Sequence, residues 1–368
     1  MMRSSPRIGA FQLYSLIVQS QFGSTAISIA HDVNAKSGTS GWISCLLGGA
    51  ISLLFVYFVW KVSSQASSGN VFQLIMNRLG GWTGRLLLLI FSLLYALIAY
   101  IILSNWIYTT GLWAYQRTPQ FFLLLCLIGL SVYLVIQPIT TYARFCVLSV
   151  CFIPIFIFLS MYTLKEWDIY NLLPLISASP FKIFDGAIVI LWSLLGVEIL
   201  LILPKYHQDL APKKVLKIAL LSYATTIGLY TFSTLSSLAL FGTETISYIR
   251  EPLLYQMKAI SLNIIERMDL LIITIWILFV MTSFCTYFML FVSSLSAMLK
   301  QKKEMPLVLT LICGILLLLA SMKRLTADQL DRFHLQVNYY VQGCSLGLIL
   351  CVLLLLKIFP AKNGSEPS

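Results

Sequence analysis

The chain has 368 residues, of which 59% are apolar and only 11% charged, and its mean hydropathy is +0.88. That balance excludes a water-soluble globular fold, which needs more polar residues to cover its surface. A formal charge of +11 suggests a nucleic-acid partner. However, the basic residues sit in short stretches between apolar runs, the pattern that orients membrane proteins, so no nucleic acid is expected.

Apolar stretches long enough to cross a bilayer as helices recur along the whole chain. Ile43 to Trp60 and Leu86 to Gln116 carry no charge at all. Ten spans are expected, near residues 8–30, 41–60, 82–112, 119–138, 142–163, 183–203, 215–240, 268–299, 307–322 and 338–357. The fold class is therefore an all-α integral membrane protein with ten transmembrane helices and one transporter-like domain over residues 1–368.

The first span follows Arg3 and Arg7 and is read as a membrane helix, because more apolar chain follows Ser20, Gln21, Gly23 and Ser24. Gly23-Ser24-Thr25 lies near its middle, where an unwound helix would offer backbone and hydroxyl groups to an anionic ligand group. A small-residue packing patch is the alternative. Gly80-Gly81-Trp82-Thr83-Gly84 reads as a turn leading into the long third span, whose Tyr95 and Tyr100 point to a central pocket. Trp42, Trp82 and Trp167 suit the membrane interface.

The sixth span carries Gly196 near its middle and Pro204 at its end. Glu198 is the acidic residue set well inside an apolar span, where a carboxyl group must be paired, hydrogen-bonded or neutral. Two readings stay open: a ligand, ion or proton site, and a structural carboxyl that holds a broken helix to a neighbour. Thr226, Tyr230, Thr234 and Ser237 share one face of the seventh span, and Thr282, Ser283 and Thr286 do similar work in the eighth. They line a polar cavity or bond neighbouring helices. Two segments, Tyr248 to Glu266 and Leu325 to Gln336, look amphipathic and read as interfacial helices or ordered loops.

Eight cysteines are spread singly through apolar spans with no C-x-x-C or Cys/His cluster, so neither metal nor disulfide is expected. No nucleophile–base cluster or nucleotide motif marks an enzyme, and no cofactor is implied. The Asn363-Gly364-Ser365 sequon falls on the tail. The larger share of the 25 Lys and Arg residues, including Lys213-Lys214 and Lys302-Lys303, falls on segments that place both termini in the cytoplasm. Ten spans divide into halves of five, residues 8–163 and 183–357. Since five is odd, the second half runs inverted, a recurring transporter plan with broken helices at matching positions.

Several short motifs together are similar to the B-subunit permease of spore nutrient germinant receptors, a branch of the amino acid/polyamine/organocation transporter superfamily. They are Phe11-Gln12-Leu13 through Gly23-Ser24, Gly41-Trp42-Ile43-Ser44, Asn171-Leu172-Leu173-Pro174, Gly196-Val197-Glu198 through Leu203-Pro204, and Ile265-Glu266-Arg267-Met268-Asp269 followed by Trp276. The chain departs from the family at Ser28-Ile29-Ala30-His31-Asp32, where members often carry a proline. The resemblance implies a LeuT-like 5+5 inverted repeat with discontinuous helices 1 and 6. It also implies a nutrient germinant, such as an amino acid, bound within the membrane bundle, and the residues themselves place the expected site near Gly23, Ser24, Thr25, Tyr95, Gly196, Glu198 and Ser283. The implied partners are an A subunit and a C-subunit lipoprotein in the spore inner membrane, together with membrane lipid. A working secondary transporter of amino acids or related solutes, coupled to protons or ions, is the second hypothesis.

Overall fold

The computed structural model describes residues 7–23, 25–66, 69–260, 267–301, 303–323 and 325–358. Among these residues all regular structure is helical. In chain order the helices are α1 (Ala10–Gln21), α2 (Ile29–Ser37), α3 (Gly41–Ser63), α4 (Val71–Leu79), α5 (Gly81–Trp113), α6 (Gln120–Val135), α7 (Ile139–Val150) and α8 (Ile153–Tyr162). There follow α9 (Pro180–Ser193), α10 (Pro212–Tyr248), α11 (Pro252–Lys258), α12 (Met268–Met298), α13 (Leu307–Ser321) and α14 (Ala327–Ile358).

Several apolar runs fold as long helices, among them α5 and α12, and α10, which kinks at Gly242 (φ 73°). At 1.5 Å per residue α5 is about 50 Å long, well beyond the ~30 Å hydrocarbon core, so it must tilt or project from the bilayer. Other apolar runs are interrupted. The first stops at Gln21 and resumes only at Ile29; the sixth leaves the helix after Ser193 and continues as a short 3-10 turn over Val197–Leu201. The fifth divides between α7 and α8 at Cys151–Phe152, just ahead of Pro154, whose missing N–H and ring disfavour an unbroken helix.

The centre of the bundle is α12 against α5, with Trp276, Phe279, Phe284 and Tyr95 fully buried. The perimeter exposes large apolar side chains such as Leu93, Leu130, Phe158 and Leu316, as a lipid-facing surface requires. Small residues bring α3 and α9 together: a Cβ on Gly48 would stand 2.5 Å from the Ala187 carbonyl, and one on Gly186 would stand 2.5 Å from Ser44 Oγ.

Two expectations change here. The segment Leu325 to Gln336 is not a separate interfacial element, because α14 starts at Ala327 and runs unbroken into the last apolar stretch. Its start is a reciprocal cap: Thr326 N donates to Gln329 Oε1 (3.2 Å) and Gln329 N donates to Thr326 Oγ1 (3.3 Å). Helix α4 is an addition, started by Asn70, whose side chain accepts from Gln73 N at 2.8 Å. It ends at the expected glycine turn, where Gly80 and Gly81 both take positive φ. Of the other outer segment, α11 buries Leu253, Leu254 and Met257, while residues 261–266 lie outside the described residues.

Polar clusters close both ends of the bundle. At one end Glu304 accepts from Lys205 Nζ (2.8 Å), Asn70 Nδ2 (2.8 Å) and Tyr206 OH (3.0 Å), and Arg7 pairs with Asp209 at 2.7 Å. At the other, Asn34 Nδ2 donates to the Thr243 carbonyl (2.9 Å), and Glu251 accepts from Trp113 Nε1 (3.3 Å). Burial pushes the Glu251 carboxyl above the usual range, against the pull of neighbouring Arg250. Helix α10 runs between these ends, and its regular part, residues 212–241 before the kink at Gly242, is about 45 Å long at 1.5 Å per residue. In a background without the native cysteines, cysteines at exposed Ser177 and Ser247 should therefore react with an impermeant maleimide from one side, and one at exposed Lys213 from the other. Labelling of all three from the same side of sealed vesicles would contradict this arrangement.

Candidate functional site

A helix that stops inside a bilayer leaves carbonyls and amides that must find partners. Around the first interruption the partners are side chains of α10 and α12. Ser283 Oγ donates to the Gln19 carbonyl (3.0 Å), Tyr230 OH to the Gln21 carbonyl (2.9 Å), and Trp276 Nε1 to the Gly23 carbonyl (3.0 Å). Around the second, Tyr223 OH donates to the Leu194 carbonyl (2.6 Å), Ser20 Oγ to the Gly196 carbonyl (3.0 Å), and Ser63 Oγ to the Leu200 carbonyl (2.7 Å). Tyr230 OH also lies 3.4 Å from the Ser193 carbonyl and 3.4 Å from Thr25 Oγ1, so one phenol touches both interruptions.

Two glycines make the approach possible. Gly196 has φ 148°, a conformation side chains resist, and a Cβ there would stand 2.6 Å from Ser20 Oγ. A Cβ on Gly23 would collide with Ser283 Oγ and lie 2.6 Å from Ser283 Cβ. Glu198 folds back on the second interruption. It is fully buried, its Oε2 accepts from Gly196 N at 2.8 Å, and its Oε1 accepts from Ser345 Oγ of α14 at 3.1 Å. The carboxylate thus caps the amide freed at the break and ties it to the last helix.

Between the interruptions lies a cavity of about 30 Å³. Its polar wall is Ser20, Gln21, Gly23, Thr25, Ser283 and Tyr287, and Ile98, Ile102, Trp192 and Leu195 supply an apolar wall. Among the described residues Gln21 Oε1, Gln21 Nε2 and Tyr287 OH are buried without a hydrogen-bond partner. Buried polar atoms normally find one, so the cavity is a place where polar capacity is left over.

The predicted residues divide by position. Gly23, Thr25 and Ser283 come together on the cavity wall. Gly196 backs onto Ser20, and Glu198 braces the break rather than facing the cavity. Tyr95 stands one ring away, 6.2 Å from Tyr287 between centroids, and its OH is also unpartnered. Ser24, Glu266 and Ser365 lie outside the described residues. Of the hydroxyl faces, Tyr230 serves the breaks, Thr234 contacts Cys45 (3.4 Å), and Thr286 meets Tyr142 (2.8 Å). Sequence reasoning assigned no role to Gln21, Ser20 or Tyr287. Two signals were available: Gln21 is polar in an apolar span two residues before the glycine, and Tyr287 is one turn beyond Ser283 on the same helix face.

Among the described residues no group of three His, Cys, Asp or Glu side chains is arranged to hold a metal ion. In fold the chain is similar to a Na+-coupled sialic acid symporter in its substrate-bound outward-open state, with TM-score 0.69 and 13% identity over 94% of this chain and 79% of that one. It is also similar to Mhp1, a nucleobase-cation-symport-1 family transporter in a closed conformation with bromovinylhydantoin bound, with TM-score 0.57 and 11% identity over 98% and 95%. The fold is accordingly that of a multi-pass secondary transporter. In sequence it is 24% identical to spore germination protein GerQB of Bacillus cereus over 275 residues, covering 75% of this chain and 76% of that one. It is 22% identical to spore germination protein A2 of Bacillus subtilis (strain 168) over 286 residues, covering 76% and 78%. Both relatives are named as spore germination proteins. Residues 7–329 match the family described as spore germination protein, and the chain belongs to that family.

Proposed function

We propose that this chain is a permease-type protein of spore germination that binds a small solute, an amino acid or a related compound, between its two interrupted helices. The observation that carries this reading is the cavity flanked by both interruptions, with the buried, unpartnered polar atoms of Gln21 and Tyr287 on its wall. A ligand regains the hydrogen bonds those atoms lack. A cavity of about 30 Å³ has room for about one water, so a larger solute enters only as surrounding helices part. The polar clusters at Glu304 and Glu251 are placed to close the two ends in turn. The transporter-like fold favours a secondary transporter over a purely sensory protein. The architecture behind this is ten crossings in two inverted halves, residues 8–163 and 183–357, with helices 1 and 6 discontinuous and both termini cytoplasmic. The membrane is the spore inner membrane.

Family membership supports a second, narrower reading: a germinant-receptor subunit that binds its nutrient and signals through an A subunit and a C-subunit lipoprotein. Uptake separates the two. Purified full-length protein in proteoliposomes is given labelled amino acids, with and without proton and sodium gradients. Accumulation by this chain alone supports transport. Binding without accumulation, together with a nutrient response lost from spores lacking either partner, supports the receptor subunit. No binding by any solute, combined with a normal nutrient response from a Gly23→Leu protein, overturns both.

A further inference from the structure

Gln21 is the last residue of α1 and is only 3% exposed, yet neither end of its amide has a partner among the described residues. Tyr287, 2% exposed, brings a second unpartnered group to the same cavity from α12. Among the described residues no acidic or basic side chain stands on the wall. The fully buried carboxyl of Glu198 is already committed to Gly196 N and Ser345 Oγ. The neighbouring carbonyls of Gln19, Gln21 and Gly23 are likewise taken by Ser283, Tyr230 and Trp276.

This arrangement restricts what can bind. A ligand ammonium would satisfy Gln21 Oε1 alone, leave Nε2 orphaned and lose its hydration without a counter-charge. A carboxylate would satisfy Nε2 alone, with the same penalty. A group that donates and accepts side by side matches both ends at once. A carboxamide or the edge of a cyclic urea has that pattern and carries no charge.

We propose that Gln21 is the specificity-determining residue of the cavity, and that it reads an uncharged amide edge of the solute, with Tyr287 OH as a further contact. This rests on the cavity being the solute site and narrows the amino acids and related compounds proposed above to those that present a neutral amide edge, rather than an ammonium or carboxylate, to Gln21. A site built to hydrogen-bond one group rejects analogues that leave its polar atoms unpaired.

Three isosteric probes test the charge requirement: acetamide (neutral), acetate (anionic) and acetamidinium (cationic). Each is added at about 100 mM and matched ionic strength to the purified full-length protein, so that even a millimolar ligand is near saturation, and the thermal transition is followed. Acetamide should raise the transition of the unaltered protein, and acetate and acetamidinium should not. Gln21→Leu should lose the acetamide effect; if it fails to fold, Gln21→Met, flexible and of similar length, takes its place. Gln21→Glu should exchange the preference to acetamidinium, whose two N–H groups a carboxylate accepts together. A merely structural Gln21 would not produce that exchange. The proposal is overturned if no probe stabilises the unaltered protein, if a charged probe does so better than acetamide, or if Gln21→Leu keeps the acetamide effect. In that last case, loss of the effect in Gly23→Leu shows that the cavity still stands and only the role of Gln21 falls. Retention of the effect in Gly23→Leu shows that the cavity itself is not the site.

Discussion

Gly23→Leu is expected to weaken solute binding by about fivefold to a hundredfold, while some folded protein still reaches the membrane. Overpacking a tight site costs about 1–3 kcal/mol, and each 1.4 kcal/mol is a factor of ten in affinity. The cost arises at a defined place. The new Cβ meets Ser283 Oγ and Cβ whatever the leucine's rotamer, so the chain at Gly23 must part from α12. That separation displaces the Gln19–Ser283 and Gly23–Trp276 hydrogen bonds that hold the first interruption in shape. Ser283→Ala should do much less, since it removes a single donor and leaves the glycine packing intact. The measurement is the solute concentration for half-maximal binding or nutrient response, taken with protein abundance. A Gly23→Leu protein at normal abundance with an unchanged dose-response curve would falsify the placement of the site.

Glu198→Leu is expected to destabilise the protein by about 1–3 kcal/mol, the cost of leaving one buried donor unsatisfied. The orphan is Gly196 N, whose partner in the structure is Glu198 Oε2. The Ser345 hydroxyl loses a partner as well, but it can rotate to its own helix carbonyl and recover a bond. Glu198→Gln should cost less than about 1 kcal/mol. Its amide oxygen can accept from Gly196 N, and its amide nitrogen can donate to a rotated Ser345. The pair of variants therefore separates geometry from charge. Thermal unfolding of the purified proteins in one detergent gives the order. If Gln at this position is as damaging as Leu, the site needs a carboxylate and the bracing role is insufficient. If both fold well but only Gln retains solute binding, the hydrogen bonds made at this position, and not its charge, also shape the ligand site.

The helical membrane class was legible from composition alone, because the bilayer accepts long apolar helices and little else. So were the positions where the first and sixth runs leave the helix, since Gly23 and Gly196 stand in the middle of apolar spans that otherwise carry good helix formers. The glycine turn at Gly80-Gly81 was legible for the same local reason. Local signals that were present but unread explain the misses: Thr326 and Gln329 form a cap, and Asn70 starts a helix too short to cross the membrane. What only the tertiary structure decided is which groups meet. Glu198 had two readings because burial raises the cost of a carboxyl group without saying who repays it; the fold answers with Gly196 N and Ser345, 147 residues further along the chain. Tyr230, Ser283 and Trp276 show periodicity but no destination in the sequence, and each proves to cap a carbonyl of the first interruption. Gln21 is the reverse case. Its place in an apolar span two residues before Gly23 marks it as unusual, but its importance lies in what the surrounding helices fail to offer it. Periodicity and glycine act over a few residues and can be read along the chain, whereas the satisfaction of a buried polar atom depends on partners that only packing brings within 3 Å.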